Sequence, residues 1–331
     1  MGAAPGLTRM RSIGPLAEAV RLAGGSVERV FRRADLPLKL LDEPERLILL
    51  SDQLHLLECA AREIGDAALP ARLATTGGIL ALGHYGERVC SAPRLREAII
   101  LATELIAPLL QTETKIELKI QRDMVRWTYV VTDASDVGRQ KNEILAIGYM
   151  LDLLRRFLGP CWTPARATVS GGSLLDRTIT ENTLRCDLSV ATEASVQFSS
   201  TFLDAINSNG SQSVFPMPEI DVPERPSLAL CTEHLIDLGL LEGRPSIDWL
   251  CRHLRVSRRS LQRQFQQDGL KFETVLQDRL SRKARQLLSE RTMTIAEIAQ
   301  ALGYSDQAHF SRAFKAWTGA SPRAWRMMHA R

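Results

Sequence analysis

Between residues 247 and 319 one stretch of sequence is written twice. At an offset of 48, Ile247 matches Ile295, Leu250 matches Ile298, Leu254 matches Leu302 and Ser257 matches Ser305. After one inserted residue Leu261 matches Phe310, Arg263 matches Arg312 and Phe265 matches Phe314; the glycines Gly269 and Gly319 then agree at an offset of 50. Two copies of one supersecondary unit are the economical explanation. A unit of this length cannot bury its apolar face alone, so the two copies and the segment joining them have to share a core.

Each copy has the parts of a helix-turn-helix. In the second, Thr294 with Glu297 three residues on forms a capping box that starts a helix carrying Ile295, Ile298, Ala299 and Leu302 on one face. Gly303 supplies a turn residue that tolerates positive φ. Ser305 is expected to cap the next helix, whose Phe310 and Phe314 sit at i, i+4 and face inward. That leaves Gln307, Ala308, His309, Ser311 and Arg312 outward, a set of short or polar side chains suited to a major groove. The first copy runs in parallel: Ser246 caps a helix with Ile247, Leu250 and Leu254, the turn passes through Arg255 and Val256, and Ser257 caps a helix that buries Leu261 and Phe265. Its outward set is Arg258, Arg259, Gln262 and Arg263. Arginine pairs with guanine O6/N7 and glutamine with adenine, each contact contributing ~1–3 kcal/mol of discrimination.

Between the copies, residues 272–290 place Val275, Leu276, Leu280, Ala284, Leu287 and Leu288 at helical spacing. A helix of ~18 residues is about 27 Å long, which suits two reading heads near the ~34 Å repeat of successive major grooves. Charge agrees. Residues 228–331 contain 17 Lys/Arg and 10 Asp/Glu, a net of +7, whereas the first 227 residues, with 25 against 28, carry −3. A basic end on a slightly acidic remainder suits a polyanionic partner, double-stranded DNA.

The 331 residues, 45% hydrophobic and 24% charged, make room for about two domains of ~100–200 residues. Pro216, Pro218, Pro223 and Pro226, with Gly210, mark residues 207–227 as a linker. The expected fold class is an α+β domain over 1–206, then an all-α domain over 228–331 with two helix-turn-helix units joined by a linker helix. Within the first domain, residues 94–110 and 138–158 have helical periodicity. Between them Ile116, Leu118 and Ile120, then Val125, Trp127, Tyr129 and Val131, alternate as a β-hairpin turning at 121–124. Further strands are expected near 167–170 and 195–198. Apolar stretches such as 47–50 and 105–110 are far shorter than the ~18–20 residues of a membrane span, and residues 9–21 lack the apolar run of a signal peptide. The expected location is cytoplasmic, and no membrane partner is expected. Six scattered cysteines form no CxxC pair. Cys231, His234, Cys251 and His253 have metal-binding side chains, but the last two are only two residues apart, and buried or incidental roles are expected instead. No metal or other cofactor is expected.

The C-terminal ~85 residues resemble the AraC family of transcription regulators. The resemblance is carried by Val256-Ser257-Arg258-Arg259-Ser260-Leu261-Gln262-Arg263-Gln264-Phe265, by Arg279-Leu280, Ala284 and Leu287-Leu288, and by Ile295 and Glu297-Ile298-Ala299. It continues through Leu302-Gly303-Tyr304-Ser305-Asp306, His309-Phe310-Ser311-Arg312-Ala313-Phe314-Lys315 and Gly319-Ala320-Ser321-Pro322 to Arg326. It implies a seven-helix DNA-binding domain of a transcriptional activator, less often a repressor, that recruits RNA polymerase. By position it makes Arg259, Gln262 and Arg263 base readers of the first recognition helix, and Gln307, Ala308, His309 and Ser311, with Arg312, those of the second. Lys271 departs from the family's usual Ser or Thr and cannot cap the linker helix.

Residues 26–206 resemble, more diffusely, the ligand-sensing domain of a subset of AraC-like regulators, through 74–83, 95–98 and 198–203. That resemblance implies a small-molecule effector and a homodimer. Trp127 and Tyr129 are the candidate ligand contacts, since aromatic walls are common in small-ligand sites; core packing is the competing reading, as it is for His84 and Tyr85 beside two glycines. The competing function class is an enzyme with a DNA-binding tail, such as a cysteine alkyl-transfer repair protein, whose nominal nucleophile is Cys161 in Gly159-Pro160-Cys161-Trp162.

Overall fold

The computed structural model describes residues 5–133, 135–207, 222–223, 227–267, 269 and 271–329. The chain divides into two compact units, Met1–Pro226 and Ser227–Arg331. Most of the segment expected to be a linker, 208–221 and 224–226, lies outside the described residues.

The first unit is α+β. It opens with the short strand β1 (Leu7–Arg9), the helices α1 (Leu16–Leu22) and α2 (Val27–Arg33), and β2 (Leu47–Leu49), which pairs antiparallel with β1. Four helices follow: α3 (Leu50–Ile64), α4 (Leu69–Gly77), α5 (His84–Cys90) and α6 (Leu95–Leu105). The last continues into a π-helical turn over Ile106–Leu110. The hairpin comes next as β3 (Thr114–Gln121) and β4 (Met124–Val131), closed by the two residues Arg122 and Asp123. After α7 (Arg139–Leu158) come β5 (Arg166–Val169), α8 (Arg177–Leu184), β6 (Leu188–Val190) and β7 (Ala194–Ser199). The five strands form one sheet in the order β3-β4-β7-β5-β6, antiparallel except for β5 beside β6.

The alternation read in the hairpin is real in β4, where Val125, Trp127, Tyr129 and Val131 are all buried. It fades in β3, an edge strand: Ile116 is buried, but Ile120 beside the turn is 47% exposed. Helix α7 packs on this sheet and on α4. Its approach to α4 depends on Gly148, because a Cβ there would lie 2.3 Å from that of Ala74. Two elements stay beneath sequence periodicity altogether. The β1–β2 ribbon and β6 have three residues each, too few to show an alternation.

The second unit is all helical: α9 (Leu228–Gly239), α10 (Ile247–Leu254), α11 (Arg258–Gln267), α12 (Phe272–Glu290), α13 (Ile295–Ala301), α14 (Gln307–Thr318) and α15 (Pro322–Met328). The repeat is therefore α10–α11 and α13–α14, joined by α12, whose 19 residues make a rod of about 28 Å. The positions aligned in sequence are equivalent in burial: Leu250, Leu254, Leu261 and Phe265 in the first copy, and Ile298, Leu302, Phe310 and Phe314 in the second. Buried Val275, Leu276, Leu280, Ala284 and Leu288 of α12 complete this core. Arg279 fastens α12 to α9, donating from Nε to Asp237 at 2.8 Å and from Nη1 to Glu233 at 3.3 Å. With a core of its own, residues 227–331 are expected to fold as a separate fragment. A helical circular-dichroism spectrum lost cooperatively in urea checks this; a gradual, non-cooperative loss would show that the unit needs the rest of the chain.

Candidate nucleic-acid interface and ligand cavity

The two helix-turn-helix copies are built by local signals that differ in detail. Ser246 Oγ accepts from the Trp249 N–H at 3.1 Å and Ser257 Oγ from the Ser260 N–H at 3.1 Å, so both helices of the first copy begin at serine caps. In the second copy the capping box is complete: Thr294 Oγ1 accepts from the Glu297 N–H at 3.2 Å, and Glu297 accepts from the Thr294 N–H at 2.6 Å. The expected cap at Ser305 is displaced by one residue. Asp306 caps α14, accepting from the His309 N–H at 2.7 Å, while the Ser305 hydroxyl donates to the Asp306 carboxylate. That carboxylate outcompetes the hydroxyl because a charge-assisted bond at a helix N-terminus is stronger. The His309 N–H holds the Asp306 carboxyl below the usual carboxylate range. Lys271 precedes α12 with no side-chain cap, in keeping with its lack of an acceptor.

Arg255 stands where the second copy has Gly303. Gly303 has φ +75° and Arg255 has φ +53°, so both turns pass through the left-handed region. At Gly303 an added Cβ would also lie 2.8 Å from the Cβ of Arg244. Gly303→Ala is expected to destabilise the unit by ~1–2 kcal/mol from backbone strain alone. Urea denaturation of the variant checks this, and a midpoint unchanged from the parent would contradict it.

With the two inner residues of each recognition helix buried, the remaining faces follow from helical geometry. On α11, Arg258, Arg259, Gln262 and Arg263 are all exposed; on α14, Gln307, Ala308, His309 and Arg312 are exposed and Ser311 is half-buried. At 100° per residue, Arg259 and Arg263 lie opposite Leu261 and Phe265, and Ala308 and Arg312 lie opposite Phe310 and Phe314. Arg263 and Arg312 thus occupy one equivalent place in the two copies. Arg258 differs from its neighbours, because its guanidinium pairs with Asp248 of α10 at 3.0 Å. The His309 ring packs edge-on against Tyr304 at 5.3 Å. Tyr304, Phe310, Phe314, Trp317 and Trp325 form the aromatic cluster on which α14 rests.

The first unit contains a cavity of about 60 Å³ between the sheet and α3, α5, α6 and α7. Trp127 and Tyr129, one pleat apart on the same face of β4, both line it. So do Ser12, Gln53, Tyr85, Gln111, Asn142 and Tyr149, which local sequence patterns do not connect, and a larger number of aliphatic residues. The polar groups form a connected set. Gln111 Nε2 and Asn142 Nδ2 donate to the Tyr129 oxygen at 2.7 and 2.9 Å, and Gln53 Nε2 donates to Asn142 Oδ1 at 2.8 Å. Tyr85 donates to the Ala102 carbonyl at 3.0 Å and Tyr149 to that of Ser12 at 3.3 Å. Burial pushes the pKa of all three phenols up, so they are neutral at physiological pH.

The cysteines are dispersed. Cys161 is exposed in the loop after α7, whereas burial raises the Cys90 and Cys186 thiols to about 11 and that of Cys231 to about 12, leaving little thiolate. Among the described residues no three His, Cys, Asp or Glu side chains gather as a metal site. No helix among them is long and apolar enough to cross a membrane.

Two family models match the chain. One, a helix-turn-helix domain, covers residues 250–328. The other, the N-terminal arabinose-binding domain of the AraC transcription regulator, covers residues 24–206. Among curated proteins, the ornithine utilization regulator of Pseudomonas aeruginosa is 38% identical over 82 residues, 25% of this chain and 24% of that protein. The arabinose operon regulatory protein of Escherichia coli is 32% identical over 110 residues, 33% of this chain and 36% of that one. These matches therefore span about a quarter to a third of the relatives' own length. Among solved structures, the transcriptional regulator CdpR of Pseudomonas aeruginosa aligns over 79% of this chain and 87% of its own, at 21% identity and a TM-score of 0.37. With more than half of its length matched by the AraC N-terminal domain and its C-terminal unit by the helix-turn-helix domain, the chain belongs to the AraC family of transcription regulators.

Proposed function

We propose that this chain is a sequence-specific regulator that binds double-stranded DNA through α11 and α14 and answers to a small molecule held in its N-terminal unit. The observation that carries the reading is the repeat. Two recognition helices bury equivalent residues and expose an arginine at the equivalent outward place, Arg263 and Arg312. One helix-turn-helix is a weak sign; two with matching inner and outer faces describe a bipartite reader of successive major grooves. Arg259, Gln262 and Arg263 read one half-element; Gln307, Ala308, His309, Ser311 and Arg312 line the other. Arg258, tied to Asp248, positions the first helix. Family membership supports the finer points: action in the cytoplasm as a homodimer, activation by contact with RNA polymerase at a nearby metabolic operon, and regulation rather than catalysis.

Genome-wide footprinting of the full chain tests this reading. A discrete protected site with two half-elements about one helical turn apart is expected. Even coverage of the genome, with only a steep dependence on salt, would mean phosphate-dominated binding without sequence readout.

A further inference from the structure

The cavity of the first unit constrains its ligand more tightly than family membership does. Its wall contains no Lys, Arg, His, Asp or Glu among the described residues. A carboxylate or ammonium group placed there would be buried without a counter-charge, at heavy desolvation cost. A polyol fares little better, because most of the amide and hydroxyl groups on the wall are already committed to one another or to backbone carbonyls. One donor remains. Trp127 is 1% exposed, and its indole Nε1–H meets no acceptor among the described residues. Tyr129 already receives two amide N–H bonds on its oxygen and has the Thr114 hydroxyl beside it as a further partner. An unsatisfied buried donor costs stability unless something pairs with it. A carbonyl oxygen in the cavity can accept from the Trp127 indole.

We propose that the cavity is the effector site, and that the effector is a small, uncharged, mainly apolar molecule whose carbonyl-type oxygen accepts from the Trp127 indole. This rests on the reading of the chain as a ligand-responsive regulator and supplies the chemical class of its ligand. Size narrows the class further. A volume of about 60 Å³ is well below the ~150 Å³ of an apolar cavity that takes up benzene and only about twice the ~30 Å³ of one water in the liquid, so a ketone, aldehyde or amide of two or three carbons is the upper limit for the site. The π-helical turn at Ile106–Leu110 forms part of the wall through Ile106 and Leu110. Such turns often accompany functional sites.

The test uses the full chain with ¹⁵N-labelled indoles and three probes of similar size: acetone, acetate and ethylammonium. The five tryptophans give separate indole signals, four of which lie outside the cavity and serve as internal controls. Trp127 is assigned by correlation with its own backbone and by the loss of one signal in Trp127→Phe. Acetone is expected to shift the Trp127 signal saturably while the other four stay in place. The charged probes are expected to bind at least ~100-fold more weakly. Acetone binding is expected to fall at least ~5-fold in Trp127→Phe, which removes the donor and keeps an aromatic ring. Should that variant fail to fold, the wild-type probe series decides alone. Equal or tighter binding of acetate or ethylammonium would overturn the proposal, and so would a Trp127 signal that no probe moves. DNA binding is read separately by footprinting, so an inert cavity in a chain that protects a discrete site would sink the ligand assignment and leave the regulator reading intact.

Discussion

Truncation of Phe310 to alanine is expected to cost the C-terminal unit ~3–5 kcal/mol and to remove DNA binding with it. The ring is fully buried, 5.5 Å from Tyr304 and 5.8 Å from Phe314 between centroids. Helix α14 buries only two residues completely, Phe310 and Phe314, so half of its anchorage is lost in one step. A small domain has only ~5–15 kcal/mol to lose. Leu261 holds the equivalent place in the first copy and is equally buried; Leu261→Ala is expected to cost ~2–5 kcal/mol. Hydrogen exchange in the full chain localises the effect: amides of α13, α14 and α15 lose protection in Phe310→Ala, whereas those of α7 keep theirs. A change below ~1 kcal/mol would mean that α14 is held by something other than its aromatic face. Phe310→Leu, which retains most of the apolar volume, is expected to recover much of the loss.

The same two aromatic positions explain why the C-terminal unit is so legible in its sequence. Its helices are short, amphipathic and begin at strong local signals: Ser246, Ser257 and the Thr294–Glu297 box all cap where their residue types say. Repetition then supplies what single-sequence reading ordinarily lacks, an internal alignment that separates buried from exposed positions. Where the local reading slipped, at Ser305, two adjacent residues both had capping side chains. The competition was settled by the stronger acceptor, Asp306. The left-handed turn at Arg255 shows the converse. Residue type alone argues against positive φ there, and only its alignment with Gly303 reveals it.

The N-terminal unit was legible as hairpin and long helices but not as a site. Trp127 and Tyr129 stand out because aromatic residues alternate on a strand. Their partners are scattered over five elements and the loops between them, from Ser12 to Tyr149, and contacts of that separation leave no local period. One signal was available. Gln53 sits at i+3 between Leu50 and Leu54 on the buried face of α3, and Asn142 falls on the same stripe of α7 as Leu145, Ala146 and Tyr149. A polar residue on an otherwise apolar stripe needs a buried partner, and these two found each other at 2.8 Å. Glu143, next to Asn142, follows the same rule: it is buried and held by the Ser170 N–H at 2.6 Å and hydroxyl at 2.8 Å, with burial pushing its pKa up.

Arg263→Ala is expected to weaken binding to the footprinted site by ~1–3 kcal/mol, about 5- to 150-fold, with the loss concentrated at one base pair of one half-element. The argument is positional. Arg263 lies opposite the buried Leu261 and Phe265 and is exposed, so its planar fork is free to meet a guanine edge. Arg312→Ala is expected to do the same in the other half-element, because the repeat gives it the equivalent place. The double variant then separates two kinds of reader. Independent heads give losses that add to within ~0.5 kcal/mol, whereas heads that must engage together give a double loss well short of the sum. Binding is measured against a library of single base-pair changes at several salt concentrations. A base reader flattens discrimination at its own position and leaves the salt slope nearly unchanged. A phosphate anchor lowers affinity for every sequence alike and reduces the slope by about one unit. The second pattern for Arg263 would move base readout on α11 to Arg259 and Gln262, and the same pattern for Arg312 would leave α14 reading through Gln307, His309 and Ser311 alone. Since Ala308 stands where the first copy has Arg259, the second half-element is expected to be the more tolerant of substitution in either case.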